Sequence, residues 1–450
     1  MSGPKNKWLI LIGLGCTGGL ILLDESIIGV ALPTIRSDLG ISQTSAHWVI
    51  NAYMLAFACF AAAGGKLADI VGLKRLFIVG AALFGLASLA AGFAEGAVWL
   101  IAARAVQGLA AALIFPISIA IASVVFKDQR GFAMGVVAAI GTAFLTAGPL
   151  VGGVLVELLS WRWIFWVNVP ITIGIIVMTL TILKDLPDSQ KGQGLDVAGL
   201  VTLVPGLTLL VLLLMQGADW GWISLLSIGS LVGAVLFLTL FGRIELRREE
   251  PLIDVSLFGN STFTASTLIL FSTQFAKINI VVFGAMYLQE DLNMSPLIAG
   301  IAMLVAVLAT PFSAGPAGKL SDRIGSRIPA IGGLAAGTIS VAWVGVAAYW
   351  DSYFWLVPAF LVFGASMPVC YLPAMREVLN AAPPEKQGQA SGVTMTARLL
   401  GGTMSIALSG GLLSATGSYQ VAFLATAAVM AAIVIFAWFA IKPQEKASSP

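Results

Sequence analysis

Gly64-Gly65-Lys66-Leu67-Ala68-Asp69-Ile70-Val71-Gly72-Leu73-Lys74-Arg75 returns later in the chain as Ala317-Gly318-Lys319-Leu320-Ser321-Asp322-Arg323-Ile324-Gly325-Ser326-Arg327. Both copies read Gly-Lys-Leu-x-Asp-x-x-Gly followed by basic residues, and each follows the second apolar run of its half. A loop repeated at corresponding places implies two six-helix halves in parallel repeat.

The surrounding sequence is mostly hydrocarbon. Of 450 residues, 58% are hydrophobic and 10% charged, a balance that no soluble domain of this length shows. A run of about 20 apolar residues spans a bilayer as a helix, and backbone hydrogen bonding leaves only helices and closed barrels as spanning structures. The runs are long and continuous, whereas barrel strands alternate over about ten residues. The fold class is therefore an all-α membrane protein. Fourteen spans are expected, at about 8–32, 45–65, 76–94, 97–125, 132–157, 163–183, 197–216, 222–242, 262–289, 296–318, 328–348, 354–375, 388–414 and 418–441. This gives an N-terminal six-helix bundle over 1–183, a segment 184–260 with two inserted helices between polar loops, a C-terminal six-helix bundle over 261–441 and a tail over 442–450.

Charge sets the orientation. With fourteen spans, 19 of the 24 Lys and Arg residues fall on the side of the two termini, and only Arg36 and Arg162 on the other. By the positive-inside rule both termini are cytoplasmic. Met1–Lys7 and the run behind it lack a small-residue cleavage site and read as a retained first helix. Cys16, Cys59 and Cys370 lie in apolar runs without metal or redox spacing. There is one histidine, His47, and the sequence shows no cluster for zinc or for a Ser/His/Asp triad; His47 reads as a surface residue. No phosphate-binding glycine loop is present, so the expected energy source is an ion gradient, with no cofactor and no nucleic-acid partner.

Charges inside the apolar runs carry the functional signal. Arg104 sits in Leu100-Ile101-Ala102-Ala103-Arg104-Ala105-Val106-Gln107-Gly108. An arginine in mid-span costs about 2.5–3.5 kcal/mol on insertion scales, so it faces a bundle interior or watery cavity and has a partner. Asp24 lies in the first span, where desolvation favours the neutral acid and a nearby guanidinium favours the carboxylate. Such a balance suits a proton-coupling site. Glu25 points about 100° away and cannot share that cavity face. Lys277 lies mid-span with Thr273 and Gln274 on its face; it reads as a switchable ion pair, a handle for an anionic substrate group, or a static lock. Arg398 reads either as a substrate or cavity-end contact or as a structural group against neighbouring carbonyls.

These residues resemble the major facilitator superfamily, and within it the fourteen-helix drug:proton antiporters. Both loop copies match the family's loop signature, although the first has Ile70 and Leu73 where basic residues are usual. Arg104-x-x-Gln107-Gly108 resembles the fourth-helix signature. Gly141, Gly148-Pro149 and Gly152-Gly153 resemble the fifth-helix signature typical of exporters. Leu23-Asp24-Glu25-Ser26-Ile27-Ile28-Gly29-Val30-Ala31-Leu32-Pro33 resembles the first-helix signature, with Gly29 for the usual Asn. Trp161-Arg162-Trp163 and Asn168-Val169-Pro170 also look like that group.

The resemblance implies a major-facilitator-like fold in which Asp24 couples protons with Arg104 as charge partner. Gln107, Gln274, Lys277 and Arg398 would join Asp24 along the substrate cavity. Asp69, Lys74, Arg75, Arg130, Asp322 and Arg323 would form a conformational latch, with Asp69 pairing Arg130. The fifth-helix glycines would serve as a hinge or tight seal. The tryptophans near span ends would anchor the protein at the interface. The expected function is proton-coupled efflux of hydrophobic small molecules by alternating-access antiport, in the plasma (inner) membrane and as a monomer. Its partners would be the substrate, protons and lipid. The alternatives are export of an endogenous anionic metabolite or lipid, and uptake by symport.

Overall fold

The computed structural model describes residues 4–126, 129–183, 196–248, 251–383 and 387–441, which form helices and no strand. The helices are α1 (Pro4–Leu39), α2 (Gln43–Val71), α3 (Leu73–Gly92), α4 (Ala97–Val125), α5 (Arg130–Leu158), α6 (Trp163–Trp166), α7 (Asn168–Thr181), α8 (Val197–Trp220) and α9 (Leu225–Glu245). The second half has α10 (Ser261–Ile278), α11 (Gly284–Glu290), α12 (Pro296–Leu308), α13 (Thr310–Ile324), α14 (Arg327–Ala347), α15 (Tyr353–Ala381), α16 (Gln387–Thr416) and α17 (Tyr419–Ala440).

Among the described residues, 13 spans are long and apolar enough to cross a bilayer. The 29-residue α2 is the fourteenth, so the number of spans agrees with the sequence. Several spans are composite. A proline lacks an N–H and its ring meets the carbonyl four residues back. Pro170 therefore breaks the span at Trp166–Asn168 into α6 and α7, and Pro311 breaks the next at Leu308–Thr310 into α12 and α13. Between α10 and α11 the backbone widens into a π-helix over Asn279–Phe283. Helix starts are capped by side chains: Ser42, Ser224, Asn260 and Ser418 each accept a backbone N–H from the first turn. The last glycine of each repeated loop has a backbone reason. Gly72 and Gly325 end their helices at φ of +99° and +82°, where a side chain is strained.

The chain divides into two compact units, residues 1–208 with 285–304, and residues 209–284 with 305–450. In the first, α1 packs on α5, α2 on α4, and α3 on α4 and α7. In the second, α10 packs on α16, α13 on α15, and α14 on α15 and α17. The same partner scheme therefore serves both halves, as the repeated loop predicts. Leu225, Leu231, Val232, Val235 and Leu236 of α9 are exposed, as suits a helix side in contact with lipid.

Candidate functional site

Five helices of the first unit converge on a buried polar core. Arg104 of α4 is wholly buried, and Asp24 of α1 is 1% exposed. The arginine donates to Asp24 Oδ2 at 2.5 Å, to Gln107 Oε1 at 2.7 Å and to the Val49 carbonyl at 3.0 Å. Gln107 donates to Asp24 Oδ1 at 3.0 Å and to Ser88 of α3 at 2.9 Å. Asn168, the first residue of α7, donates to Asp24 Oδ1 at 3.3 Å. Both carboxylate oxygens thus accept bonds, and the charge is neutralised where solvation is absent, the condition that makes a buried ion pair tolerable.

The local sequence explains this geometry. Arg104 and Gln107 are three residues apart and share one face of α4. Gly108 lets α2 press against that face, because a Cβ there would lie 2.1 Å from the Tyr53 carbonyl oxygen. The Tyr53 ring then covers the guanidinium at 4.3 Å, a cation–π contact. The structure therefore brings together Asp24, Arg104 and Gln107, as the sequence suggests. It adds Ser88, Asn168, Tyr53 and the Val49 carbonyl, of which only Asn168 carried a motif signal. Glu25 is also buried, and so is His47, expected at the surface but 1% exposed. The reason is that α2 begins at Gln43, which puts His47 one turn inside the helix.

The fifth-helix glycines are contact points. A Cβ at Gly148 would fall 1.8 Å from Ser26 Oγ, and one at Gly152 would meet Ile27, so α5 lies against the backbone of α1 just beyond Asp24. Gly153 meets Pro296 and Leu297, and Gly300 meets the Pro149 carbonyl. Gly141 faces Leu22. Glu157, near the end of α5, accepts the Leu297 N–H at 2.9 Å in the first turn of α12. At the same end Arg36 pairs with Glu290 at 3.0 Å. Trp161, grouped by sequence with the interface anchors, is 2% exposed. It donates to Asp38 at 2.7 Å, and Arg162 stacks over it while pairing with the same carboxylate.

The loop residues divide. Asp322 pairs with Arg376 at 2.6 Å, whereas Arg323 and Arg75 are exposed. Lys74 donates to the Leu183 carbonyl at 2.5 Å, just beyond the end of α7. Its counterpart Arg327 donates to the Trp438 carbonyl at 2.7 Å, near the end of α17. Both cations satisfy carbonyls at helix C-termini, where a positive charge is favoured. The expected Asp69–Arg130 pair lies outside the described residues.

In the second unit, Asn279 opens the π-helix and is fully buried. It donates to Ser409 of α16 at 2.9 Å, and Ser409 lies 3.4 Å from Thr426 of α17. Gln274 is buried and Lys277 partly exposed. Arg398 lies over the Tyr371 ring at 4.8 Å.

Contacts fix the alignment of the two halves. Gly80 meets Ile114 as Gly333 meets Cys370, and Gly108 meets the Tyr53 carbonyl as Gly364 meets that of Ala306. The offset is 253 residues for the second and third helices of each half and 256 for the fourth. Phe360 and Phe363 then occupy the repeat positions of Arg104 and Gln107.

The comparisons with known proteins agree with this architecture. The Major Facilitator Superfamily model matches residues 14–405 and again 262–450. The chain is 34% identical to the methyl viologen resistance protein SmvA of Salmonella typhimurium (strain 14028s / SGSC 2262), over 92% of this chain and 84% of that one. It is 29% identical to the multidrug resistance protein Stp of Mycobacterium tuberculosis (strain CDC 1551 / Oshkosh), over 91% and 76%. The crystal structure of a D-xylose-proton symporter superposes with a TM-score of 0.71 at 14% identity, covering 96% of this chain and 98% of that one, and so shares the fold. A family match this long, on a helical fold whose halves repeat one packing scheme, has one reading: the chain belongs to the Major Facilitator Superfamily, a family of membrane transporters for small molecules.

Proposed function

We propose that this protein exports hydrophobic small molecules, drugs among them, by exchange with protons across the plasma membrane. The observation that carries the reading is the Asp24–Arg104–Gln107–Asn168 core. It holds a carboxylate whose protonation would disrupt the bonds that neutralise it. Adding a proton to Asp24 leaves Arg104 uncompensated in a buried site, so protonated and deprotonated forms favour different helix arrangements. The resistance proteins among its relatives support efflux. The Gly148–Pro149 and Gly152–Gly153 contacts support a seal at one end of the first unit.

In this reading, residues 1–183 and 261–441 are the moving bundles, 184–260 is an accessory insert, both termini are cytoplasmic, and the protein works as a monomer. Asp322 with Arg376 acts as a latch that breaks and reforms during the cycle. The test uses energised inverted vesicles and a panel of dyes and drugs. Uptake that collapses on adding an uncoupler, and that Asp24→Asn abolishes, is the expected result. Transport of every compound unaffected by the uncoupler would refute it.

A further inference from the structure

The Asp24 carboxylate is enclosed by groups that cannot hand it a proton. It is 1% exposed, and its oxygens accept from Arg104 Nη1, Gln107 Nε2 and Asn168 Nδ2. Guanidinium and amide N–H groups keep their protons at physiological pH. Charging and discharging this carboxylate therefore needs an O–H group within reach, directly or through one water.

Two hydroxyls belong to the core. Ser88 Oγ is fully used: it donates to the Phe84 carbonyl at 2.7 Å and accepts from Gln107 at 2.9 Å and from Asn168 at 3.5 Å. Tyr53 carries the other. Its ring is held over the Arg104 guanidinium at 4.3 Å and edge-on to Phe57 at 6.1 Å, with Phe57 in turn against Phe115. The Tyr53 hydroxyl is buried with no hydrogen-bond partner among the described residues, and so are Arg104 Nη2 and Asn168 Oδ1. Unsatisfied buried polar atoms are costly, and an ordered water takes about two to four such partners. The charged groups within electrostatic reach of the hydroxyl are Asp24 and Glu25 of α1 and Arg104 of α4.

We propose that the Tyr53 hydroxyl, bridged to Asp24 by an ordered water, relays the proton that charges and discharges Asp24. The proposal rests on the proton coupling assigned to Asp24 above and names the group that serves it. The groups match one water: Arg104 Nη2 and the Tyr53 O–H donate to it, and Asn168 Oδ1 and Asp24 Oδ2, which accepts only the Arg104 bond, take its two protons. In the transfer the water gives a proton to Asp24 Oδ2 and takes one from the Tyr53 O–H. The tyrosine oxygen takes one in turn from a hydronium ion. At the water and at the tyrosine one O–H bond forms for each that breaks, so both end neutral. The hydronium becomes water, and the carboxylate gains one proton. The reverse sequence discharges it.

The test is a stopped-flow pH jump on the purified full-length protein with pyranine as indicator, which needs no transported substrate. The phase missing both in Asp24→Asn and in the charge-neutral double variant Asp24→Asn/Arg104→Gln reports proton uptake at the site. Tyr53→Phe keeps the ring and its contact with the guanidinium. It should slow that phase at least tenfold and leave the thermal midpoint at or above the wild-type value. A merely structural tyrosine would move the midpoint and not the rate. Any smaller slowing overturns the proposal. So does a midpoint several degrees lower, or a variant that fails to fold, because the hydroxyl would then be a bond of the fold. If wild type shows no phase that the Asp24 variants remove, Asp24 exchanges no proton, and the coupling reading fails together with its relay.

Discussion

Asp24 and Arg104 are worth more to each other than to the fold as a whole. A buried pair broken on one side leaves an uncompensated charge, at a typical cost of about 3–5 kcal/mol, whereas removing both charges can be nearly neutral. We therefore predict that Arg104→Gln lowers the thermal midpoint of the purified protein by several degrees. The double variant Asp24→Asn/Arg104→Gln should recover most of that loss while remaining inactive in uncoupler-sensitive transport. A double variant no more stable than the single one would contradict the pairing. Asn168→Ala should weaken proton coupling with a smaller stability loss, about 1–3 kcal/mol for an unsatisfied buried group, read by the pH dependence of transport. Asp24, Arg104 and Gln107 were legible because charge and amide groups stand out in an apolar run. Ser88 was not, since a single hydroxyl within a helix usually bonds its own backbone, as Ser88 also does to Phe84. The Val49 carbonyl carries no sequence signal at all. Lys74 was readable as a charge but not as a cap, because its acceptor is a backbone carbonyl more than a hundred residues away.

At the scale of helices, the glycine contacts of α5 make a sharp prediction. Gly148→Leu would drive a side chain into Ser26 and separate α1 from α5, so expression or transport should be lost. Gly174→Leu on α7, where a Cβ meets nothing within 4 Å, should be tolerated. Equal behaviour of the two variants in a transport assay would refute the close-packing account. Span number and helical type were readable from the apolar runs and the loop charges between them. Span ends were not. The first span was expected over 8–32, yet α1 continues to Leu39, because a helix can outrun the hydrocarbon that made it visible and carry Arg36 and Asp38 on its last turn. The break at Trp166–Asn168 follows from Pro170, while the π-helix at Asn279–Phe283 has no comparable sequence mark.

For the whole molecule, the distribution of Lys and Arg predicts that a protease site appended after Pro450 is cut in inverted vesicles and protected in right-side-out ones. The opposite pattern would reverse the assigned direction of transport. The halves share a packing scheme but not a chemistry, and this separation was only half visible in the sequence: the repeated loop announced the duplication, while the exchange of Arg104 and Gln107 for Phe360 and Phe363 emerged only once contacts fixed the offset. The backbone contact between α1 and α5 has a mechanical consequence. Side chains cushion most helix pairs and let them slip by small rotamer changes, but Gly148 and Gly152 remove that cushion beside Asp24. The two helices are thereby coupled as one stiff lever, with Asp24, the proposed proton site, beside the contact and the Glu157 carboxylate near the end of α5 accepting the Leu297 N–H in the first turn of α12. In the proposed cycle, a proton arriving at Asp24 would need to tilt the lever only slightly, because glycine contacts leave little slack between the two helices to absorb the motion.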